Sequence, residues 1–247
     1  MLISLLKLGL SPQEIIYYLI IMIFALTLSF SIHEFMHAAV AVWLGDPTPK
    51  NMGRLTLNPI AHVDPIGTFL LLVAGFGWGK PVMYNPSNLY RFKSSRGMNI
   101  MVHLAGVTGN FIVAIISAIL TLLFGALTVR FGESPAANAF SALSDVFEYT
   151  NVFSMMLLAF NLLPIPPLDG FHVLEECLPY KVRSSPGYRQ FERFAPMAIW
   201  VVFLLGMVSR VSVIGYAVAI IEIPFQWIID IILIPFVKLF PLIAGTM

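Results

Sequence analysis

"TLSFSIHEFMHAAVAVWLGD", residues 27–46, has the apolar density of a membrane span, yet it carries His33, Glu34 and His37 within the run. Unpaired ionisable groups are costly in hydrocarbon, and those that persist there mark functional sites. In an α-helix, residues four apart share a face and lie about 6 Å apart along the axis. His33 and His37 can therefore offer imidazole nitrogens to one ion. Glu34 borders the same site, where a carboxylate can activate a water without itself ligating the metal, as expected of an H-E-x-x-H sequence.

The surrounding chain agrees with a membrane setting. Of its 247 residues 58% are hydrophobic and 11% charged, with a mean hydropathy of +0.87, against about 45–50% apolar and 25% charged in soluble domains. Charge-free runs at 15–32, 97–129 and 149–168 are each long enough to cross about 30 Å of hydrocarbon as helix. After Arg193 the apolar runs are broken by Arg210, Glu222, Asp230 and Lys238, leaving room for two or three more spans in helices at about 190–247. The first apolar run is long and leads directly into HEFMH, so a retained helix is expected rather than a cleaved signal peptide. Cys177 is the one cysteine, which excludes an intrachain disulfide and a thiolate metal cage. A net charge of +1 without a basic face gives no reason to expect nucleic acid as a partner.

A catalytic zinc ion usually takes three protein ligands and keeps one position open. The extended H-E-x-x-H-x-x-G-x-x-H signature is absent, because Val40 and Trp43 stand at its Gly and His positions. Glu175 or Glu176 in "VLEEC" could supply a third ligand from a later helix. Asp169 is better placed, at the end of "NLLPIPPLDG", residues 161–170. There Pro164, Pro166 and Pro167 break the helix, leaving extended chain that is tolerable at membrane depth where it lines a protein cavity.

The pairing constrains topology. If HEFMH ends the first span at one face, Asp169 must return to that face. The segment "PIGTFLLLVAGFGWG", residues 65–79, is short for a crossing and suits re-entry. With a re-entrant segment over 65–86, the run 97–129 leaves that face and 149–168 returns to it. The face then carries most of the basic residues, including Lys50, Arg54, Lys80, Arg91, Lys93 and Arg96, and by the positive-inside rule it is cytoplasmic, with the N-terminus outside. The expected fold is an all-α polytopic transmembrane helical bundle with a re-entrant glycine-rich segment. It forms a single membrane domain, 1–247, with a catalytic core at about 12–178.

These residues together resemble the site-2 protease family of intramembrane zinc metalloproteases, in its compact prokaryotic form. "HEFMH" is similar to the family's first motif and "NLLPIPPLDG" to its second. "GRLTLNPIAHVDPIGT" (53–68) and "FGWGKPVMYNP" (76–86) look like the stretches that follow the first motif. "AGVTGN" (105–110) resembles the family's Ala-Gly-Pro-x-x-Asn, with Val107 in place of proline. The resemblance implies zinc, one ion per chain, on His33, His37 and Asp169, with Glu34 as general base. It also implies Asn161 as oxyanion support, Asn110 in a supporting role, and a short membrane-embedded strand or β-hairpin in the glycine-rich segment. From sequence alone, a helix-to-helix hydrogen bond serves Asn161 nearly as well.

Gly75, Gly77 and Gly79 alternate, which in extended chain clears one side for a second backbone. Substrate pairing as an added strand and a plain turning loop are both compatible with that pattern. Trp78 and Tyr84 could serve as interfacial anchors. His62 and His103 read as local hydrogen-bonding residues, whereas His172, three residues past Asp169, is close enough to orient that ligand. The expected function is cleavage of membrane-spanning proteins near the cytoplasmic side of the bilayer, in the inner membrane of a prokaryote. Alternatives are a metal transporter or sensor using the same ligands, or an inactive relative. Intact Glu34 argues against the inactive relative. Oligomeric state is not legible.

Overall fold

The computed structural model describes residues 5–6, 8–74, 77–209 and 212–245. Helix α1 covers Pro12–Leu44, α2 Pro65–Ala74, α3 Ser95–Phe131 and α4 Pro135–Asn161. They are followed by α5 at Asp169–Cys177, α6 at Pro186–Ser209 and α7 at Val213–Ala244. Three of them, α1, α3 and α7, are long and apolar enough to cross a membrane.

Local chemistry fixes the helix starts. Ser11 and Glu14 form a reciprocal capping box before Pro12. Ser94 accepts a hydrogen bond from the Gly97 amide, and Ser134 accepts one from Ala137 ahead of Pro135. Between α3 and α4 the chain turns in three residues, with Gly132 at a φ of 57° that a side chain would strain.

That short turn makes α3 and α4 an antiparallel pair. Contacts step along it from Phe131 with Phe140, to Phe124 with Phe147, to the Asn151 amide donating to the Ala114 carbonyl. Helix α1 runs parallel to α4, since Tyr17 donates to Asp145 and Ser29 pairs with Ser154 at 2.8 Å. Against α3 it runs antiparallel, with His33 level with Asn110 and His37 level with Val102. The C-terminal ends of α1 and α4 therefore lie at the same end of the bundle, which brings the two sequence motifs together. Helix α7 closes the far side of α3, with Phe111 against Phe225 and Arg130 donating to the Ile243 carbonyl.

Two expectations need correction. The run 149–168 is not one helix: α4 begins earlier, at Pro135, includes Asp145 and Glu148, and stops at Asn161, where the prolines take over. It is not among the three helices with span-like length and hydropathy. A hairpin is absent among the described residues, which hold one isolated antiparallel bridge, Val63 with Gly79, supported by the Lys80 amide donating to the His62 carbonyl at 2.7 Å. That bridge returns the chain after α2 to the place where α2 began. Val107, which stands where the family pattern has proline, is buried in an unbroken α3 and packs with Leu158 and Leu163.

Asp46, just beyond α1, was not singled out in the sequence but organises the chain around the site. It is fully buried and accepts from the Thr48 amide and hydroxyl, the Asn85 amide and Asn88 Nδ2. Burial alone would raise its pKa, but these donors hold it below the ordinary carboxylate range. Its contribution to stability is therefore complete above the unfolded pKa of about 3.9 and is lost as pH falls through its lower folded value. Asp46→Ala should strand these donors at about 1–3 kcal/mol each. The expected result is a lower thermal midpoint in detergent and a marked loss of activity; an unchanged midpoint would show that the cluster is not holding segment 80–88.

Candidate metal centre

His33 and His37 project from one face of α1 and are 3% and 9% exposed, with Glu34 between them at 6%. Asp169 reaches them from the first turn of α5. His33 Nε2 and His37 Nε2 are 3.0 Å apart, and each lies 3.2 Å from Asp169 Oδ2. Ligand atoms around a tetrahedral zinc with bonds of about 2.0–2.1 Å are about 3.3 Å apart, so the triangle already has nearly the size the ion requires. Asp169 Oδ2 is buried without a hydrogen-bond partner. A buried carboxylate oxygen facing two imidazole nitrogens and lacking a hydrogen bond is the donor set a divalent cation completes, and the residues fit zinc.

Small residues let these side chains converge. A Cβ at Gly106 would run into His37 Nε2 and the His33 ring, so α3 approaches α1 closely because Gly106 has no side chain. A Cβ at Gly170 would strike the Leu162 backbone, so the turn carrying Asp169 packs directly on the end of α4. Val102, Gly106 and Asn110 recur every four residues along α3 and form the surface on which both histidines rest. Asn110 was singled out in the sequence, but Val102 and Gly106, which complete this surface, were not. Their signal was the i, i+4, i+8 match to the His-x-x-x-His spacing.

Glu34 Oε2 accepts a hydrogen bond from the Val82 amide at 2.8 Å. The glycine-rich segment thus holds the carboxylate directly. Gly75 lies outside the described residues. Gly77 and Gly79 line the central cavity, but the space a Cβ would take is already filled by the Gly67 carbonyl for Gly77, and by Phe30 and the His62 carbonyl for Gly79. The close backbone approach expected there is made by the chain itself.

Asn161 also lines the cavity, with its Nδ2 donating to Leu157 O in its own helix at 2.9 Å. His172 does not contact Asp169 directly in the role foreseen for it. It lies 3.5 Å from Glu175 and stacks on His103 at 4.8 Å. His103 Nδ1, 4.0 Å from Asp169 Oδ1, is the nearer histidine, and its Nε2 is 3.0 Å from the Tyr84 hydroxyl. Tyr84 is accordingly a site residue, and Trp78 packs edge-on against Trp200. Glu175 faces His172 and Glu176 accepts from Asn99, so the alternative third ligands are turned to other partners. His62 bonds locally to the Thr56 carbonyl at 2.9 Å, as its sequence context suggested.

The cavity in front of the triad has a volume of about 870 Å3 and mostly apolar walls from α1, α4, residues 77–84 and the start of α7. A buried His-His-Asp set with a carboxylate beside it, in a bundle with span-length helices, is the arrangement of a membrane metallopeptidase. The chain belongs to peptidase family M50, whose family model matches residues 21–207. It is 40% identical over 200 residues to YwhC of Bacillus subtilis, a protein named as a zinc metalloprotease, covering 81% of this chain and 86% of that one. It is 31% identical over 169 residues to Rip2 of Mycolicibacterium smegmatis, also named as a zinc metalloprotease, covering 66% of this chain and 60% of that one. Rip2 of Mycobacterium tuberculosis strain H37Rv is 31% identical over 180 residues, 71% of this chain and 63% of its own length. No solved structure matches the chain. It is a zinc metalloprotease of the membrane, with α1, α3 and α7 long and apolar enough to span it.

Proposed function

We propose that this protease cuts its substrates inside the bilayer, and that the substrates are membrane-spanning proteins. The observation that carries this reading is the placement of His33, Glu34 and His37 well inside α1, a helix long and apolar enough to span, facing a large apolar-walled cavity. A soluble substrate would need neither.

In this reading His33, His37 and Asp169 hold one zinc ion per chain. When bound, zinc supplies a Lewis acid that lowers the pKa of water to about 7 and polarises the scissile carbonyl. Glu34, aimed by the Val82 amide, takes the proton of the attacking water and returns it to the leaving amine. Asn161 lies on the cavity wall and supplies an amide donor to the developing oxyanion once it turns from Leu157. Peptide bonds in an intact helix are shielded, so a substrate must unwind locally to enter. Residues 77–84 offer it an extended wall. In this reading the motif-bearing end, where basic residues gather, faces the cytoplasm by the positive-inside rule, with the N-terminus outside and the protein in the inner membrane of a prokaryote.

The test is a comparison of membrane-protein fragments in cells with and without the chain, with and without a zinc chelator. New chain ends should fall within membrane spans, on the cytoplasmic half, and disappear with the chelator. Cuts confined to soluble loops would overturn the intramembrane reading, and no zinc-dependent fragments would turn attention to metal transport.

A further inference from the structure

Both histidines of the triad are held from behind by α3. His37 Nδ1 lies 2.8 Å from the Val102 carbonyl, which only accepts, so that nitrogen carries the hydrogen and His37 Nε2 presents a bare lone pair to the triad. His33 has a side chain in the equivalent place. Its Nδ1 lies 3.2 Å from Asn110 Nδ2, and Asn110 is fully buried. In this arrangement the amide donates to His33 Nδ1, the His33 hydrogen sits on Nε2 and points to His37 Nε2 at 3.0 Å, and Asn110 Oδ1 is left buried without a partner.

That arrangement does not allow His33 Nε2 to ligate a metal. Ligation requires a lone pair on Nε2, hence a hydrogen on Nδ1, hence an acceptor where Asn110 Nδ2 now stands. The orphaned Oδ1 is on the same carboxamide. A half-turn about its last torsion exchanges oxygen and nitrogen in almost the same volume and puts the acceptor in place.

The geometry points to Asn110 as a positioning residue that selects the tautomer of His33. By giving Oδ1 to Nδ1–H it leaves the His33 Nε2 lone pair free to ligate. This rests on the reading of His33, His37 and Asp169 as a zinc site. Val102 performs the same task for His37 through the main chain, where no side-chain substitution can remove it. Asn110 is thus the side-chain determinant of how well α1 presents its ligands.

The experiment measures zinc affinity of the purified full-length chain in detergent, by competition with a chelator of known affinity, for the wild type, Asn110→Leu and Asn110→Asp. Leucine fills similar volume without an acceptor and should weaken zinc about 10–100-fold, the usual effect of losing a partner behind a ligating histidine. Aspartate only accepts, and zinc with Asp169 leaves a net positive charge for it to meet, so its affinity should equal or exceed the wild type. Wild-type affinity in Asn110→Leu would overturn the proposal. So would Asn110→Asp losing tenfold or more, and that arm decides the matter alone should the leucine variant fail to fold. A wild type that does not bind zinc would overturn the metal site itself. Cleavage plays no part in this readout, so its result is independent of the fragment comparison.

Discussion

Glu34→Gln should lower cleavage by about 10²–10⁴-fold, the range that a positioned general base contributes, while zinc content and thermal midpoint stay at wild-type values. The reason is local. Gln has the size of Glu and retains an oxygen able to accept the Val82 amide hydrogen bond, which is 2.8 Å long in the native chain. It is not itself one of the three atoms converging on the ion position. Only the capacity to take and return a proton is removed. The measurement is a turnover assay on a membrane-spanning substrate in proteoliposomes, with zinc quantified in the same samples. Activity above a tenth of wild type with zinc fully bound would remove Glu34 from the role of base.

Gly106→Ala should empty the metal site without touching a ligand. The added methyl would meet His37 Nε2 and lie 2.5 Å from His33 Cε1 and 2.7 Å from His33 Nδ1, so both rings must tilt or α3 must withdraw. Overpacking of this kind costs about 1–3 kcal/mol, on the order of 10–100-fold in zinc affinity, and ring tilting directs the lone pairs away from the ion as well. Gly109→Ala is the control on the same helix. Its methyl would meet Met36 Cγ at 2.5 Å and Cβ at 3.2 Å, so the Met36 side chain must turn about its first torsion, but no metal ligand is met. Gly109→Ala should retain zinc and most activity. Equal zinc affinity in the two variants would mean that α3 shifts as a unit and that Gly106 is not the spacer between the helices.

The two predictions differ in how they could be found. Glu34 was legible from its neighbours, because a carboxylate between histidines four apart has few other uses in hydrocarbon. Gly106 was not, because a glycine in an apolar helix carries no chemistry of its own. Its importance appears only when α1 and α3 are seen to touch there. The same holds for Val82 and Asp46. A backbone amide has no signature in a sequence, and an aspartate after a helix end is indistinguishable from a solvated turn residue until Asn85 and Asn88 fold back on it.

The glycine-rich segment shows how a local pattern leaves open which backbone approaches. Alternating glycines do permit a backbone to approach, but at Gly77 and Gly79 that approach is made by Gly67, His62 and Phe30 of the same chain. Valine at Gly77 would therefore unseat the segment that holds Glu34.

By itself the sequence determined the membrane character, the helical class, the His-x-x-x-His ligand pair with its carboxylate, and the break after Asn161 that sets Asp169 apart. Each follows from short-range rules: hydropathy over a span, four-residue helical spacing, and prolines that cannot continue a helix. The tertiary structure decided where α4 begins, which acid joins the histidines, and which groups stand behind them. Those depend on the register between α1, α3 and α4, set by packing of side chains 65 to 136 residues apart in the chain, from His37 with Val102 to His33 with Asp169, and such distances leave no periodic trace in a single sequence.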